Sequence, residues 1–269
     1  MFRGFFTAAA GMMAQQRRTE MLTNNMANAN TPGFKADQSS IRAFPELLLE
    51  RMNKTGQMAE VGPLNTGTYM QETVPKFIQG DAKETGQKTD LALFDLNMPV
   101  NNANGLQGSV FFTVRDQNGQ IRYTRNGNFT LSPQGYLTTG DGQNILDTNG
   151  NPIQLASDQF MVSENGLITG ANGERAQLGI AFANNPERLI KEGNGLYRTE
   201  NGTALPGAQG QPDVQFKLQQ GFLEQSNVDI SKSMTDLLTA YRTFEANQKI
   251  MQAYDRSMDK AVNEVGKVG

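Results

Sequence analysis

The sequence contains no cysteine, no histidine and no tryptophan. The missing cysteines exclude disulfide bonds and thiolate metal sites, and the missing histidines remove the commonest general base and the commonest metal ligand. Catalytic systems of the Ser-His-Asp and Cys-His types therefore cannot be built from these residues. No apolar run approaches the roughly 18 residues of a transmembrane helix, so no membrane insertion is expected.

The chain is also poor in excess charge. Its 24 basic and 27 acidic residues leave a formal net charge of −3, so a nucleic-acid partner, which would need a basic face, is not expected. The glycine-rich segment Gly105–Gly108 lacks the following Gly-Lys-Ser/Thr of a phosphate-binding loop, and we expect no cofactor. Glycine is abundant, with 28 of 269 residues, which predicts many turns.

The N-terminal segment carries a helical pattern from residue 2 to residue 29. Its apolar residues recur mostly at intervals of three or four, which is typical of a helix with one apolar stripe. Pro32 disfavours a helical Thr31, and Gly33 permits a left-handed turn, so the helix should end there. The stripe consists of Phe2, Phe5, Phe6, Ala9, Met12, Met13, Met21, Leu22 and Met26.

The C-terminal segment carries a heptad pattern in which steps of four and three alternate. A helix from Val228 to Val265 would span about 57 Å, and its narrow apolar stripe needs a partner helix. The termini should therefore lie side by side or pair with those of neighbouring copies. The alternative is an ordinary helical hairpin packed on a β-domain. The eleven positions are Ile230, Met234, Leu237, Tyr241, Phe244, Gln248, Met251, Asp255, Met258, Val262 and Val265.

The middle of the chain has a β pattern. Short strand-like runs such as Val110–Val114 and the alternating Ile121–Arg125 are separated by turn residues, which indicates a sandwich or barrel-like unit. Asn126-Gly127 predicts a two-residue hairpin turn. Pro45–Arg51 is compatible with a short helix. The fold class expected is α+β, with a helical coiled-coil-like domain (1–34 plus 222–269), an extended linker with a short helix (35–75) and a β-rich domain (76–221).

Two constellations could suggest chemistry. The segment Asp147–Asn151 has its glycine at the fourth position, whereas a calcium-binding EF-hand loop needs it at the sixth, so a turn is favoured. The acid pairs Asp90 with Asp95 and Asp141 with Asp147 would be conceivable in a secreted peptidoglycan-active enzyme, although most surface acids are simply solvated. For both groups of residues a structural role is favoured over a chemical one. We therefore expect no catalytic residue and no metal site.

Two long motifs resemble the flagellar rod and hook protein family. Residues 22–35 read LTNNMANANTPGFK, and residues 220–229 read QGFLEQSNVD. Shorter matches fall in the middle of the chain, including Tyr123–Phe129, and only about 42–75 and 95–109 lie outside the resemblance. The motifs look most like the distal-rod type. The insertion at 94–107 departs from it and favours a variant of the kind found among the extra rod-type proteins of Gram-positive bacteria.

The resemblance implies a structural subunit that polymerises helically with itself and with other rod and hook proteins. It also implies unfolded export by the flagellar type III apparatus, without a cleaved signal peptide, to the basal body. An adaptor or cap of the same axial structure is the nearest alternative.

Gln248 and Asp255 would interrupt the seam and set its register. Asn24, Asn25 and Asn28 would form hydrogen bonds to neighbouring subunits or cap the end of their own helix. The residues predicted to form the assembly interface are Phe5, Ala9, Met12, Leu22, Asn24, Asn25, Met26, Asn28, Met234, Leu237, Tyr241, Phe244, Met251 and Met258.

Overall fold

The fold is of the α+β class and divides into two compact units. The helical unit comprises Met1–Ala27, Asp37–Val74 and Asp229–Gly269, and the β unit comprises Asn28–Ala36 and Pro75–Val228. The structure is a computed structural model. The residues it describes are 2–45, 47–52, 58–64, 66–101 and 105–265.

The helical unit is built on two long helices. Helix α1 spans Phe2–Ala27, and helix α2 spans Ile230–Lys260 and continues into one π-helical turn, Ala261–Val265. Short strands lie between them along the chain, and the last of these crosses the boundary of the units. They are β1 (Asp37–Gln38), β2 (Ile41–Ala43), β3 (Leu47–Met52), β4 (Met58–Leu64), β5 (Thr68–Met70) and β6 (Val74–Pro75).

Helix α2 begins with a side-chain cap. The carboxylate of Asp229 accepts a hydrogen bond of 3.0 Å from the backbone N–H of Lys232, which satisfies one of the amide groups that a helix start leaves unpaired. The observed 31 residues correspond to about 46 Å, so α2 is shorter than predicted but still far longer than an average helix.

Leu47–Met52 forms a strand, so the short helix expected over Pro45–Arg51 is wrong. Strand β3 pairs with β4 as an antiparallel hairpin with one irregularity between Leu49 and Glu50. Leu and Glu are good helix formers, but local propensity is a weak guide when cross-strand pairing competes with it. Residues 53–57, which the sequence analysis assigned to polar connecting chain, lie outside the described residues.

The β unit contains fifteen strands among the residues that the structure describes, together with two short 3₁₀ turns. The strands are β7 (Ala82–Glu84), β8 (Leu91–Asn97), β9 (Ser109–Arg115), β10 (Ile121–Thr124), β11 (Phe129–Leu131), β12 (Leu137–Thr139), β13 (Asn144–Ile145), β14 (Met161–Val162), β15 (Leu167–Thr169), β16 (Arg175–Gln177), β17 (Ile180–Ala183), β18 (Ile190–Lys191), β19 (Leu196–Arg198), β20 (Gln215–Gln220) and β21 (Phe222–Glu224).

Strand β9 is the centre of the largest sheet. One edge pairs with β10, and the other edge pairs with β17 and β13, all antiparallel. Phe112 belongs to the main core cluster, whereas Phe111 packs with Tyr123 and Tyr197 in a second cluster on the other face. Because both faces are covered, the strand is apolar without alternation, which explains the run Val110–Val114.

The hairpin turn predicted at Asn126-Gly127 is wrong. Strand β10 pairs with β9 and β19, and β11 pairs with β12, so the two strands flanking this dipeptide are not partners. Gly127 serves a different purpose: a Cβ atom there would overlap the carbonyl oxygen of Leu91. The glycine therefore permits close approach of two backbones rather than a positive φ angle.

The turn interpretation of Asp147–Asn151 is confirmed. The carboxylate of Asp147 accepts hydrogen bonds from the N–H groups of Asn149 and Asn151, at 2.8 and 2.7 Å, and Gly150 has a φ of 81°. Such a bond pattern is the local one that Asp favours in turns. Separately, neither helix, as far as the structure describes it, has the length and apolar character needed to span a bilayer.

Candidate functional site

The two helices of the helical unit pack antiparallel through small residues. A Cβ atom on Gly4 would overlap the ring of Tyr254, and one on Gly11 would lie 3.0 Å from the amide of Asn247. Ala8 on α1 and Ala240 on α2 are both buried, which continues the same contact. Small side chains let two helix backbones approach closely, so this contact needs few large apolar groups.

Along α2, most of the partly or fully buried positions follow an alternation of four and three, and Asp236 and Glu245 are the exceptions. Leu237, Phe244, Met251 and Met258 take every second position, as predicted. The intervening positions lie one residue earlier than predicted. They are occupied by Ser233, Ala240, Asn247 and Tyr254.

The remaining predicted seam positions of α2 face away from this contact. Met234 is 48% exposed and Tyr241 53% exposed, and Gln248 and Asp255 are exposed as well. Together with Ile230 and Leu238, which are also about half exposed, Met234 and Tyr241 form a row on the first three turns of the helix. We call Ile230, Met234, Leu238 and Tyr241 the outer stripe.

Helix α1 also exposes large apolar side chains. Phe6 is 64% exposed and Met13 56% exposed, and the two lie seven residues apart on one side of the helix. Among the residues predicted on this helix for the assembly interface, Leu22 and Asn25 are buried. Phe5, Ala9, Met12 and Met26 are partly buried, and Asn24 is exposed.

Two of the predicted asparagines stabilise their own chain locally. The amide of Asn25 donates to the carbonyl of Asp37 at 2.8 Å and accepts from its N–H at 2.9 Å. In the β unit, the side-chain oxygen of Asn28 accepts a hydrogen bond from the hydroxyl of Thr31 at 3.1 Å. These contacts lie within the chain but do not cap the end of α1, and any contact with a neighbouring copy stays a prediction.

A buried charge cluster, which we define as Lys35, Asp95, Arg125 and Glu224, lies inside the β unit. Glu224 accepts from Lys35 Nζ at 2.5 Å and from Arg125 Nε at 2.8 Å, and Arg125 also donates to Asp95 at 2.9 Å. The side chains of Lys35, Arg125 and Glu224 are 2% exposed or less. Two cations and two anions thus balance, which is the condition for burying charge.

Backbone groups complete the cluster. Arg125 donates to the carbonyls of Val110 and Leu93, Lys35 donates to that of Ile78, and Glu224 accepts from the N–H of Gly80. Hydrogen bonds to the remaining donors and acceptors are what makes a buried ion pair tolerable. The cluster therefore fixes its side chains in one arrangement.

The cluster brings together the two chain segments that connect the β unit to the helices. The N–H of Gly33, six residues after α1, donates to the carbonyl of Glu224, which lies six residues before α2. The amide of Asn227 accepts from the N–H of Ala36 and donates to the carbonyls of Lys76 and Ile78. Both connections are therefore bonded to each other within the β unit.

Within the cluster, the pKa values of both Glu224 and Lys35 are lowered, which favours the charged form of Glu224 and the neutral form of Lys35. Burial alone would raise the pKa of Glu224, but the charges of Arg125 and Lys35 outweigh this effect and hold the pKa below its usual value of 4.5. Burial lowers the pKa of Lys35 to about 8, and the nearby Arg125 charge acts in the same direction against the attraction of Glu224. Lys35 is thus the member that loses its charge most easily.

The cluster is not recognisable as a site from the sequence alone. Lys35, Arg125 and Glu224 each stand within segments that resemble the flagellar family, but nothing in one sequence showed that they meet. The available signal was a charged residue at Lys35 and at Arg125 in motifs that are otherwise uncharged, and at Glu224 beside the apolar Phe222 and Leu223. Asp95 was considered only as a possible catalytic acid.

Asp90 and Asp95, the first of the two acid pairs, are both engaged in hydrogen bonds within the fold. Asp95 accepts from Arg125 and from the hydroxyl of Ser109, and Asp90 accepts from the hydroxyl of Thr85 at 2.6 Å. Within the described ranges, no group of three or more acidic side chains is placed to hold a metal ion. Asp95 thus takes part in the ion pairs of the buried charge cluster.

Comparison with known proteins gives three family matches along the chain. "Flagella basal body rod protein" matches residues 5–35, "Flagellar hook protein FlgE/F/G D1 domain" matches 105–170, and "Flagellar basal body rod FlgEFG protein C-terminal" matches 219–264. Of the cluster's four members, Lys35, Arg125 and Glu224 fall inside these matches, and Asp95 lies outside them.

Whole-chain relatives agree with the family matches. The chain is 46% identical to the flagellar hook-basal body complex protein FlhO of Bacillus subtilis (strain 168), over 100% of both chains. It is 30% identical to FlhP of the same organism, over 96% of this chain and 97% of the relative. It is also 30% identical to the flagellar basal-body rod protein FlgG of Borreliella burgdorferi, over 98% of each chain.

Proposed function

The chain belongs to the family of flagellar basal-body rod and hook proteins, and from this premise we propose that it is a structural subunit of the rod. In this role it polymerises helically, with copies of itself and with other rod and hook proteins, into the shaft that transmits torque to the hook. The observation that carries the proposal is the outer stripe of α2. Its four large apolar side chains remain about half exposed, whereas the helix pair inside the chain closes on small residues.

The outer stripe is the proposed contact between copies. Scattered exposed apolar residues are ordinary, but four in one row on a long helix mark an interaction surface. Phe6 and Met13 on α1 offer an apolar surface of matching chemistry in a neighbouring copy. Contacts of this kind between copies would give the coiled-coil-like packing expected from the heptad pattern.

Hydroxyl groups beside the outer stripe suit burial in such a contact. The hydroxyls of Thr235, Thr239 and Thr243 each donate to the carbonyl four residues earlier, at 2.8 to 3.0 Å. A hydroxyl already bonded to its own helix presents its methyl group outward and leaves no unpaired donor when a neighbour covers it. This face can therefore be buried with little cost from polar groups.

The location and the route follow from the family. We propose that the chain resides in the flagellar basal body and reaches it unfolded through the flagellar type III apparatus without a cleaved signal peptide. The family match to rod proteins and the full-length likeness to FlhO support this assignment. The lack of cysteine fits it too, since no disulfide can form before export.

The substitution Met234→Asp tests the proposed contact. It places a charge on the outer stripe, where the side chain is 48% exposed and makes little contribution to the fold of the isolated chain. We expect the purified variant to keep the helix content and the melting temperature of the unmodified protein within about 2 °C. It should nevertheless fail to enter rods in isolated basal bodies, as judged by immunoblotting.

The matched control is Ala246→Asp, which adds the same charge at an exposed position on another side of α2. This control should assemble normally. Normal assembly of Met234→Asp would contradict the role of the outer stripe, and loss of assembly by both variants would show only that added charge is not tolerated on this helix.

A further inference from the structure

The members of the buried charge cluster come from distant parts of the chain. Glu224 is 189 residues from Lys35 and 99 residues from Arg125. It supplies the only ion-pair partner of Lys35 among the described residues, and it shares Arg125 with Asp95. Glu224, near the end of the β unit in the sequence, thus balances the charges of Lys35 and Arg125, which come much earlier in the chain.

Without Glu224, the two cations would face Asp95 alone. The side chain of Asp95 is 16% exposed and already bonds to Ser109, so it cannot replace the buried carboxylate between Lys35 and Arg125. Removing one partner of a buried ion pair leaves an uncompensated charge in the interior and is strongly destabilising. The interior around Lys35 and Arg125 is therefore unfavourable until Glu224 is in place.

The strands next to Glu224 also complete the fold late in the sequence. Strand β20 pairs with the buried strand β8, and β21 pairs with β7. The N–H of Gln225 donates to the carbonyl of Asp81, while Glu224 takes the N–H of Gly33 and of Gly80. The last segment of the β unit thus closes onto three segments that precede the main sheet in the chain.

We infer that Glu224 is the residue that closes the β unit, so this unit cannot be completed until the chain has been made through residue 224. Long loops must close before the cluster forms, and the entropy cost of closing them comes before the stabilising contacts are made. Synthesis proceeds from the N-terminus, so the β unit stays incomplete until only the α2 segment remains. This inference concerns folding order and holds whether or not the chain assembles into a rod.

The test measures folding and unfolding rates of the full-length chain carrying Glu224→Gln or Glu224→Asp. Pulsed hydrogen exchange at the amides of β9 reports on the β unit alone. If Glu224 docks after the sheet has formed, both variants should unfold faster, by about 100-fold or more for Glu224→Gln, while the refolding rate changes by less than about threefold. Glu224→Asp keeps the charge and supplies the same measurement if Glu224→Gln does not fold.

Two further variants separate charge balance from other effects. Lys35→Met combined with Glu224→Gln removes one cation and one anion, and it should unfold more slowly than Glu224→Gln alone. Glu164→Gln, at an exposed acid paired with Lys217, should behave like the unmodified protein. The inference would be overturned if refolding slowed in proportion to the lost stability while the unfolding rate stayed unchanged. It would also be overturned if the double variant were less stable than Glu224→Gln.

Discussion

At the scale of single residues, the charge of Glu224 has a predictable dependence on pH. Because Arg125 and Lys35 hold its folded pKa below the usual 4.5, the charged form contributes stability that is present above pH 4.5 and lost as the pH falls through the lower folded value. The unmodified protein should therefore have a higher unfolding free energy than Glu224→Gln at pH values above 4.5.

This difference should shrink as the pH falls below about 4.5. Urea titrations at a series of pH values measure it, and Glu164→Gln serves as the control because its side chain is 70% exposed. A difference that stayed constant down to the acid unfolding of both proteins would contradict the pKa shift.

Sequence reasoning reached these residues only as members of motifs. The resemblance covered Lys35, Arg125 and Glu224, but the ion pairs join positions that are 99 and 189 residues apart. Charge balance in an interior is a property of the closed fold, and no local periodicity encodes it. For the same reason the sequence did not reveal the role of Gly127, because this role depends on the nearby backbone of Leu91 and not on a turn at Gly127.

At the scale of elements, the helix pair depends on small side chains as well as on large apolar ones. Replacing Ala240 by Leu puts three extra carbon atoms into a position that is 1% exposed, against α1. We expect a loss of about 1–3 kcal/mol in the stability of the helical unit, because overpacking forces side chains and backbone to move. Thermal unfolding followed by circular dichroism at the helix band measures this loss.

The control for this change is Ala246→Leu, at an exposed position of the same helix. Since Ala and Leu differ little in helix propensity, this variant should match the unmodified protein within about 0.5 kcal/mol. An Ala240→Leu protein as stable as the control would mean that the helices do not pack through Ala240.

Both long helices and the central strands were predictable because their patterns are long or strongly apolar. The choice of packing face was not predictable in the same way. The heptad pattern selected Met234 and Tyr241 by their hydrophobicity, whereas Ser233 and Ala240, one residue earlier, are the more buried positions. A pattern of large apolar residues shows that a helix has partners, but it does not show which partner each face meets.

At the scale of the whole molecule, the two compact units should respond independently to substitution. A Cβ atom on Gly80 would overlap the carbonyl oxygen of Gln225, so Gly80→Ala should lower the stability of the β unit. Gly140→Ala is the control, because a Cβ atom there meets nothing within 4 Å. Hydrogen exchange of β9 amides and of α2 amides reports on the two units separately.

We expect Gly80→Ala to accelerate exchange in β9 and to leave α2 unchanged, and Ala240→Leu to have the reverse effect. In the double variant the two losses should add within about 0.5 kcal/mol. Parallel acceleration in both units by either single variant would show that they unfold together.

The outer stripe and the apolar residues of α1 differ from each other, and this difference has a consequence for growth. When unlike surfaces join copy to copy, every added molecule covers one free surface and brings another, so an array of any size keeps one uncovered surface at each end. The surfaces of such a molecule do not limit the number of copies in the array. The number of copies in the proposed array must then be decided from outside, by the supply of chains or by a different protein that terminates the growing end.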